Sequence, residues 1–96
     1  MTIRDLDGKV VYKGDVDLTD SLRRIDAGEQ ISRFRNDGVV FQNREGRLPK
    51  RPAGTYREWV HPTSGLSGPG PQRIVTGDNR DAWYTADHYK SFKKIR

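Results

Sequence analysis

Apolar residues with helical spacing occur in only one stretch of this chain. Leu18, Leu22 and Ile25 recur every three or four residues, which places them on one face of a helix. Thr19 is the expected N-cap, because its hydroxyl can accept a hydrogen bond from the first turn, and Gly28 is the expected stop. The pattern therefore predicts one short helix in the first third of the chain.

Elsewhere the pattern favours turns and strands. Residues 3–16 place a short apolar run between Asp-Gly and Lys-Gly-Asp turn signals, which is typical of a hairpin-like extension. Residues 31–34 favour a turn or a short helix before an Asn-Asp-Gly turn. The strand-like segments after that turn are 39–41, 55–60, 73–76, 82–85 and 91–95.

One helical part followed by several strands joined by tight turns predicts an α+β fold. We expect the N-terminal helical segment to pack on a twisted four- to five-stranded antiparallel sheet. At 96 residues the chain can build one hydrophobic core, so we expect a single domain over residues 1–96. Residues 1–37 form its strand and helix lead-in, and residues 38–96 form the sheet that would carry the functional groups.

Composition and charge narrow the classes of function. The chain has no cysteine, which excludes disulfides and cysteine-based zinc sites. Its net charge of +5 is unevenly distributed: residues 38–96 carry eleven Lys and Arg against five Asp and Glu, whereas residues 1–37 carry seven against eight. A basic half favours a polyanionic ligand, with nucleic acid ahead of an anionic membrane, although an ordinary solvated surface has the same charge. No apolar run is long enough for a membrane span or a signal-peptide core, so we expect no signal peptide in this chain and no membrane partner.

Alternation within segment 55–60 draws attention to one carboxylate. Tyr56, Glu58 and Val60 fall on one strand face and Trp59 on the other. A charge on the apolar side needs a cationic partner, and Arg73 on a neighbouring strand can reach it. The pair is either part of a catalytic site or an internal salt bridge, because both arrangements perturb the carboxylate pKa.

A histidine could act together with this carboxylate in acid–base catalysis. RNA cleavage without a metal needs a base for the ribose 2′-hydroxyl, an acid for the leaving 5′-oxygen and cations for the phosphate. The chain offers only His61 and His88 as imidazoles, and either is by itself more often structural than catalytic. Its loop aspartates lack metal-ligand spacing, so we expect neither a metal nor another cofactor.

The segment 41–49 could recognise a base. A turn that ends a strand exposes consecutive backbone amides, which can donate to guanine O6. A neighbouring carboxylate, Glu45, can accept from guanine N1 and N2, whereas adenine presents the opposite polarity at both edges. The alternative is an ordinary charged hairpin loop.

Several of these segments together resemble the guanyl-specific microbial ribonucleases, the barnase-like family. The resemblance covers residues 37–96, and its landmarks occur in the family order. They are 40–49 (VFQNREGRLP), 54–58 (GTYRE), 63–65 (TSG), 73–75 (RIV) and 84–96 (YTADHYKSFKKIR). The resemblance implies a helical part packed on a twisted antiparallel sheet, and cleavage of RNA through a 2′,3′-cyclic phosphate without a metal.

The same resemblance implies roles for individual residues. Glu58 takes the position of the catalytic base, His88 that of the catalytic acid, and Arg73 that of the arginine that binds the scissile phosphate. Six further positions match the family's substrate-binding residues. They comprise the loop whose backbone amides hold guanine, the carboxylate of that loop, and two aromatic residues. They are Gln42, Asn43, Arg44, Glu45, Phe41 and Tyr89.

The chain also departs from the family pattern. A second active-site arginine, normally a few residues before the position of Arg73, has no counterpart, since residues 66–72 contain no cation. Arg44, Lys50 or His61 could replace it, and Arg57 is the poorest substitute because it alternates away from Glu58. If nothing replaces it, the alternative function is a catalytically impaired RNA-binding module; a purely structural or protein-binding domain explains the basic half poorly.

The family resemblance also implies partners and location. RNA is the expected substrate, and an acidic inhibitor or immunity protein is expected to cover the basic cleft of a monomer. Residues 1–40 resemble the lead-in of ribonuclease domains at the C-termini of bacterial polymorphic toxins. We therefore expect a nuclease that is secreted or delivered into target cells.

Overall fold

The computed structural model describes all 96 residues, and it begins with a small hairpin. Strand β1 (Thr2–Arg4) pairs antiparallel with β2 (Val10–Lys13), as the turn signals predict. Ile3 is fully buried and so attaches the hairpin to the rest of the protein. The register shifts between Ile3 and Arg4, an irregularity of the kind that changes the direction of a side chain.

Helix α1 (Thr19–Asp26) lies where the hydrophobic spacing predicts it. The prediction of Thr19 as N-cap is wrong: Leu18 is the N-cap, and its side chain forms no capping hydrogen bond. Instead, the carboxylate of Asp17, the residue before the N-cap, accepts a hydrogen bond from the Thr19 amide at 2.9 Å. This bond satisfies one of the N–H groups of the first turn, which have no partner within the helix. At the other end Gly28 has a positive φ of 72°, and its amide closes the last turn on the Ile25 carbonyl. With eight residues, α1 is too short to cross a bilayer, and the structure has no other helix.

The remaining strands form one five-stranded antiparallel sheet, as predicted, and their order in the sheet follows the sequence. Its strands are β3 (Val39–Val40), β4 (Arg57–Val60), β5 (Arg73–Thr76), β6 (Ala82–Thr85) and β7 (Lys93–Lys94). Three of them are shorter than the pattern predicts. Pairing of β4 starts only at Arg57, because the Thr55 amide instead closes a turn on the Pro52 carbonyl. Residues 31–34 form turns rather than a helix.

The two faces of this sheet carry different layers. On one face, Trp59, Ile74 and Tyr84 pack against Ile25 of α1, with Leu18 and Leu22 at the edge of this core. The opposite face carries a second core, formed by the buried side chains of Leu48, Tyr56, Val75 and Trp83. Half-buried Phe41, Tyr89 and Phe92 cover the second core, so this face ends in an aromatic surface instead of a helix.

A buried carboxylate joins the lead-in to the sheet. The Asp37 side chain has no exposed surface, and it accepts from Arg24 at 2.8 Å and from the backbone amides of Ile31 and Val60 at 2.6 and 2.7 Å. Both carboxylate oxygens are therefore satisfied, which compensates the cost of burying the charge. We refer to Asp37 and these partners as the Asp37 anchor.

Candidate active site

A pocket of about 260 Å³ lies on the aromatic face of the sheet. We call it the Phe41 pocket. Seven of the nine residues predicted to bind or cleave substrate line it: Phe41, Gln42, Asn43, Arg44, Glu45, Glu58 and Tyr89. Val40, Arg47 and Phe92 complete the lining, and nothing in the sequence pattern singled these three out.

Asn43 fixes the backbone of the loop that forms one wall of this pocket. Its φ is 52°, in the left-handed region that Asn tolerates better than most residues. Its side-chain amide donates to the Leu48 carbonyl at 3.0 Å and accepts from the Leu48 amide at 3.2 Å. The side chain of Asn43 is thus used within the protein, and only its backbone is free to contact a ligand.

The loop presents unpaired backbone donors to the pocket. The amides of Gln42, Asn43, Arg44 and Glu45 donate to no protein acceptor, whereas the next amide, of Gly46, closes a turn on the Asn43 carbonyl at 3.0 Å. Four consecutive N–H groups without a protein acceptor remain available to an acceptor such as a carbonyl oxygen. The Glu45 carboxylate pairs with Arg47 at 3.0 Å on the exposed rim, so it must leave this partner before it can accept from a base.

Stacked aromatic rings form the floor of the pocket. Phe41 and Tyr89 lie nearly parallel with ring centroids 5.3 Å apart, and Phe92 meets Phe41 edge-on at 6.1 Å. Such an arrangement holds the rings rigidly and leaves a flat apolar surface on which a planar base can stack.

Glu58 lies half-buried on β4, opposite Val75 of β5, with its side chain at the pocket. Burial raises the pKa of the Glu58 carboxyl, and this effect is partly opposed by the Tyr89 hydroxyl and by the positive charge of Arg73. The alternative of an internal Glu58–Arg73 salt bridge is wrong, since Glu58 forms no ion pair within 4 Å. The carboxylate is thus free to take a proton.

Arg73 is buried without a carboxylate partner. Only 4% of the residue is exposed, and one guanidinium nitrogen donates to the carbonyls of Gly70 and Gln72 at 2.7 and 2.8 Å. Its Nε has no hydrogen-bond partner at all, although it is buried. A desolvated cation held only by neutral carbonyls, with an unsatisfied N–H, is expected to have high affinity for an anion. The guanidinium also lies 5.9 Å from the centre of the Tyr89 ring.

His88 lies beside this cluster in a strained loop that follows β6. Both His88 and Tyr89 have positive φ values, 55° and 73°, which are unfavourable for such side chains. The loop is held by hydrogen bonds from the His88 amide to the Pro71 carbonyl and from the Tyr89 amide to the Thr85 hydroxyl, both 3.1 Å. Backbone strain that is maintained by specific contacts is characteristic of functional sites.

The pKa of His88 is lowered by burial and by the positive charges of Arg73 and Lys90, while Asp5 acts in the opposite direction. Its ring meets the Tyr89 ring edge-on at 5.1 Å. Tyr89 therefore contacts or electrostatically influences all three predicted catalytic residues, and the pKa of its own hydroxyl is raised, first by burial and then by Glu58.

The candidates for a replacement cation are dispersed. Arg44 lines the Phe41 pocket, whereas Lys50 lines a neighbouring groove behind Asn43. His61 lies against α1, where its Nδ1 is 2.7 Å from the Ser21 hydroxyl, and Arg57 donates to the Gly38 carbonyl. Of the four, only Arg44 shares a cavity with Glu58.

Comparison with known proteins places this geometry in a family. A ribonuclease family model matches residues 7–96. The chain is 46% identical over 77 residues to guanyl-specific ribonuclease Sa3 of Kitasatospora aureofaciens, an alignment that covers 79% of this chain and 54% of that protein, so the chain spans about half of its length. It is 41% identical over 80 residues to guanyl-specific ribonuclease Sa of the same organism, covering 82% of each.

A solved structure agrees with these matches. The crystal structure of ribonuclease Sa2 with guanosine-2′-cyclophosphate superposes on this protein with a TM-score of 0.76 at 36% identity. The superposition covers 88% of this chain and 89% of the ribonuclease Sa2 chain. The family model, the relatives and the solved structure each match most of the chain, and they agree with the order of the sequence landmarks. This protein therefore belongs to the ribonuclease family.

Proposed function

We propose that this protein is a guanine-preferring endoribonuclease that cleaves single-stranded RNA by metal-independent transesterification. The observation that carries the proposal is the placement of Glu58, Arg73 and His88 around Tyr89, next to a pocket with four free backbone amides. Relatives named guanyl-specific ribonucleases and a neighbour that binds a guanosine cyclic phosphate support the same substrate class.

Guanine would bind in the Phe41 pocket. The base stacks on the aromatic floor formed with Tyr89, and its O6 accepts from the free amides of residues 42–45. Once released from Arg47, the Glu45 carboxylate accepts from N1–H and N2–H. Adenine offers a donor where guanine has O6 and no donor at N1, so it leaves these groups unpaired, which disfavours it.

The phosphodiester would lie over Arg73, Glu58 and His88. Glu58 takes the proton of the 2′-hydroxyl, and the 2′-oxygen forms a bond to phosphorus. As the bond from phosphorus to the 5′-oxygen breaks, His88 donates a proton to that oxygen, and a 2′,3′-cyclic phosphate remains. The buried guanidinium of Arg73 stabilises the charge that develops on the phosphoryl oxygens.

A second candidate, an RNA-binding module of low activity, is favoured by one observation. The loop before Arg73 offers carbonyl oxygens and no cation to the phosphate. Arg44 is the candidate replacement cation that shares the Phe41 pocket with Glu58. Removal of its charge should therefore reduce the cleavage rate of a weak enzyme, whereas in a module that only binds RNA it should reduce affinity alone. Whether the protein is an enzyme or a binding module, an acidic inhibitor would cover its basic cleft. Secretion or delivery by a toxin stays a prediction.

Short RNAs that contain a single purine test the proposal. We expect the guanosine substrate to be cleaved on its 3′ side, in EDTA as well as in magnesium, with a cyclic phosphate detected by mass spectrometry. An inosine substrate, which lacks the N2 amine, should be cleaved more slowly, and an adenosine substrate least. Cleavage that stops in EDTA, or equal cleavage after adenosine, contradicts the proposal, and Glu58→Ala controls for contaminating nuclease.

A further inference from the structure

An ion pair lies within the lining of the Phe41 pocket. Glu45 and Arg47 both line the pocket, and the Arg47 Nε donates to a carboxylate oxygen of Glu45 at 3.0 Å. This is the only hydrogen bond that either side chain forms with the protein. Arg44, the other cation of the lining, forms no ion pair. The carboxylate assigned to guanine therefore already has a cationic partner within the protein.

The turn between the two residues keeps them together. Gly46 has a φ of 65°, in the left-handed region that favours glycine, and its amide closes the turn on the Asn43 carbonyl. The Asn43 side chain binds the backbone of buried Leu48, on the far side of the pair. The loop backbone is thus fixed on both sides, and Arg47 can leave Glu45 by rotation of its side chain alone.

The ion pair is a weak one. The exposed fraction is 46% for the Arg47 side chain and 71% for the Glu45 side chain, so water and salt screen both charges. A single N–H of the guanidinium takes part, whereas strong arginine–carboxylate pairs use two parallel N–H groups. Guanine offers the carboxylate two parallel donors, N1–H and N2–H. Guanine can therefore displace the guanidinium, but the stability of the ion pair lowers its affinity.

We propose that Arg47 competes with guanine for the Glu45 carboxylate and thereby sets the affinity of the Phe41 pocket for the base. The inference rests on the proposed function, in which Glu45 accepts from N1–H and N2–H of guanine. Adenine has no donor at N1, so it leaves the ion pair intact. Arg47 thus weakens the binding of guanine but not that of adenine, and it returns to Glu45 when the product leaves.

Uncharged guanosine tests this competition, because its binding involves no attraction between Arg47 and a phosphate. Arg47→Met keeps the apolar stem and removes the charge, and it should bind guanosine about two- to fivefold more tightly than the wild type, as expected for loss of one exposed ion pair. Arg47→Lys keeps a cation and should lie between the two. NMR titration of the amides of residues 42–45 measures even weak affinities.

The controls separate this effect from a general change in charge. Arg23→Met breaks an exposed ion pair with Asp20 outside the pocket and should leave guanosine affinity unchanged. In the Glu45→Gln background, Arg47→Met should have no effect, since the contested carboxylate is gone. Adenosine affinity should be the same in the wild type and in Arg47→Met.

Salt provides a second measurement. A rise from about 0.05 M to about 0.5 M salt should tighten guanosine binding to the wild type, because screening weakens the competing ion pair, and this response should disappear in Arg47→Met. Equal or weaker guanosine binding by Arg47→Met, or an equal gain for adenosine, overturns the inference and leaves the proposed function intact. A wild type that binds guanosine no better than adenosine overturns the proposed function, and the inference with it.

Discussion

Two arginines of this protein, the partly buried Arg24 and the buried Arg73, have opposite environments. Arg24 donates to the Asp37 carboxylate and to the Val60 carbonyl, and its charge is compensated within the Asp37 anchor. Arg73 donates hydrogen bonds only to backbone carbonyls, and its buried Nε has no hydrogen-bond partner. Because an unpaired buried charge is costly, an anionic ligand that paired with Arg73 would offset this cost.

The same difference separates the two faces of the sheet. The helical face is covered by packed apolar side chains of α1 and the sheet. The aromatic face leaves four amides of residues 42–45 unpaired and holds His88 and Tyr89 at positive φ. Both faces thus contain a hydrophobic core, but the unpaired amides and the strained residues of the aromatic face lie where chemistry is expected.

The largest effect is expected for the acid and the base. Glu58→Ala and His88→Ala should each reduce kcat by about 10²- to 10⁴-fold, because each removes a proton transfer in the transition state. Urea unfolding should show little change, since neither side chain is fully buried. Glu29→Ala, which removes an exposed carboxylate outside the Phe41 pocket, is the matched control; wild-type turnover in either active-site variant would disprove the assigned mechanism.

Asp37→Asn should be the most destabilising change. It leaves the partly buried Arg24 charge uncompensated and places an amide where two backbone N–H groups need acceptors, at a cost of about 3–5 kcal/mol in the free energy of unfolding. The variant that remains folded should keep its activity. Asp20→Asn, in an exposed pair at 3.9 Å, should leave the urea midpoint unchanged, and an equal loss in both variants would refute the anchor.

Arg73→Gln is expected to show the opposite pattern to Asp37→Asn. Activity should fall by about 10²- to 10³-fold, comparable to the loss of one donor to a developing oxyanion. Unfolding free energy should change far less, because the variant removes an unpaired buried charge. A loss of stability as large as that of Asp37→Asn would show that Arg73 is structural.

Asn43→Ala should have a smaller effect, confined to base recognition and local stability. Loss of the two bonds to Leu48 costs about 1–2 kcal/mol and releases the loop, so KM for guanosine substrates rises. Asn43→Gly keeps the backbone conformation without those bonds and should lie between wild type and Ala. Calorimetry with guanosine monophosphate measures the loss of affinity.

The smallest effect concerns pH. Glu58 must be ionised and His88 protonated, so the profile of kcat/KM should be a bell. The acidic limb should lie above the ordinary carboxyl value of 4.5, because burial raises the pKa of Glu58. The basic limb should lie below 6.5, because burial and Arg73 lower the pKa of His88. In Arg73→Gln the basic limb should move up, and an unmoved limb would contradict this coupling.

Much of the fold could be predicted from the sequence, because hydrophobic periodicity determines which side of an element is buried. The spacing of Leu18, Leu22 and Ile25 predicts α1, and alternation in segment 55–60 assigns Glu58 and Trp59 to opposite faces, as the strand pairing confirms. The resemblance to the guanyl-specific ribonucleases likewise predicted that residues 42–45 bind substrate, and these residues line the Phe41 pocket.

Partners that are distant in the chain were decided only by the tertiary structure. Arg73 turns to the carbonyls of its own loop instead of pairing with Glu58, and Asp17 rather than Thr19 satisfies the helix start. Ile3 is buried in the folded protein, and the neighbouring hairpin residues Arg4 and Asp5 line a groove together with His88. Periodicity specifies a face, whereas a hydrogen bond or an ion pair requires two particular atoms to meet within about 3 Å, and packing alone determines that.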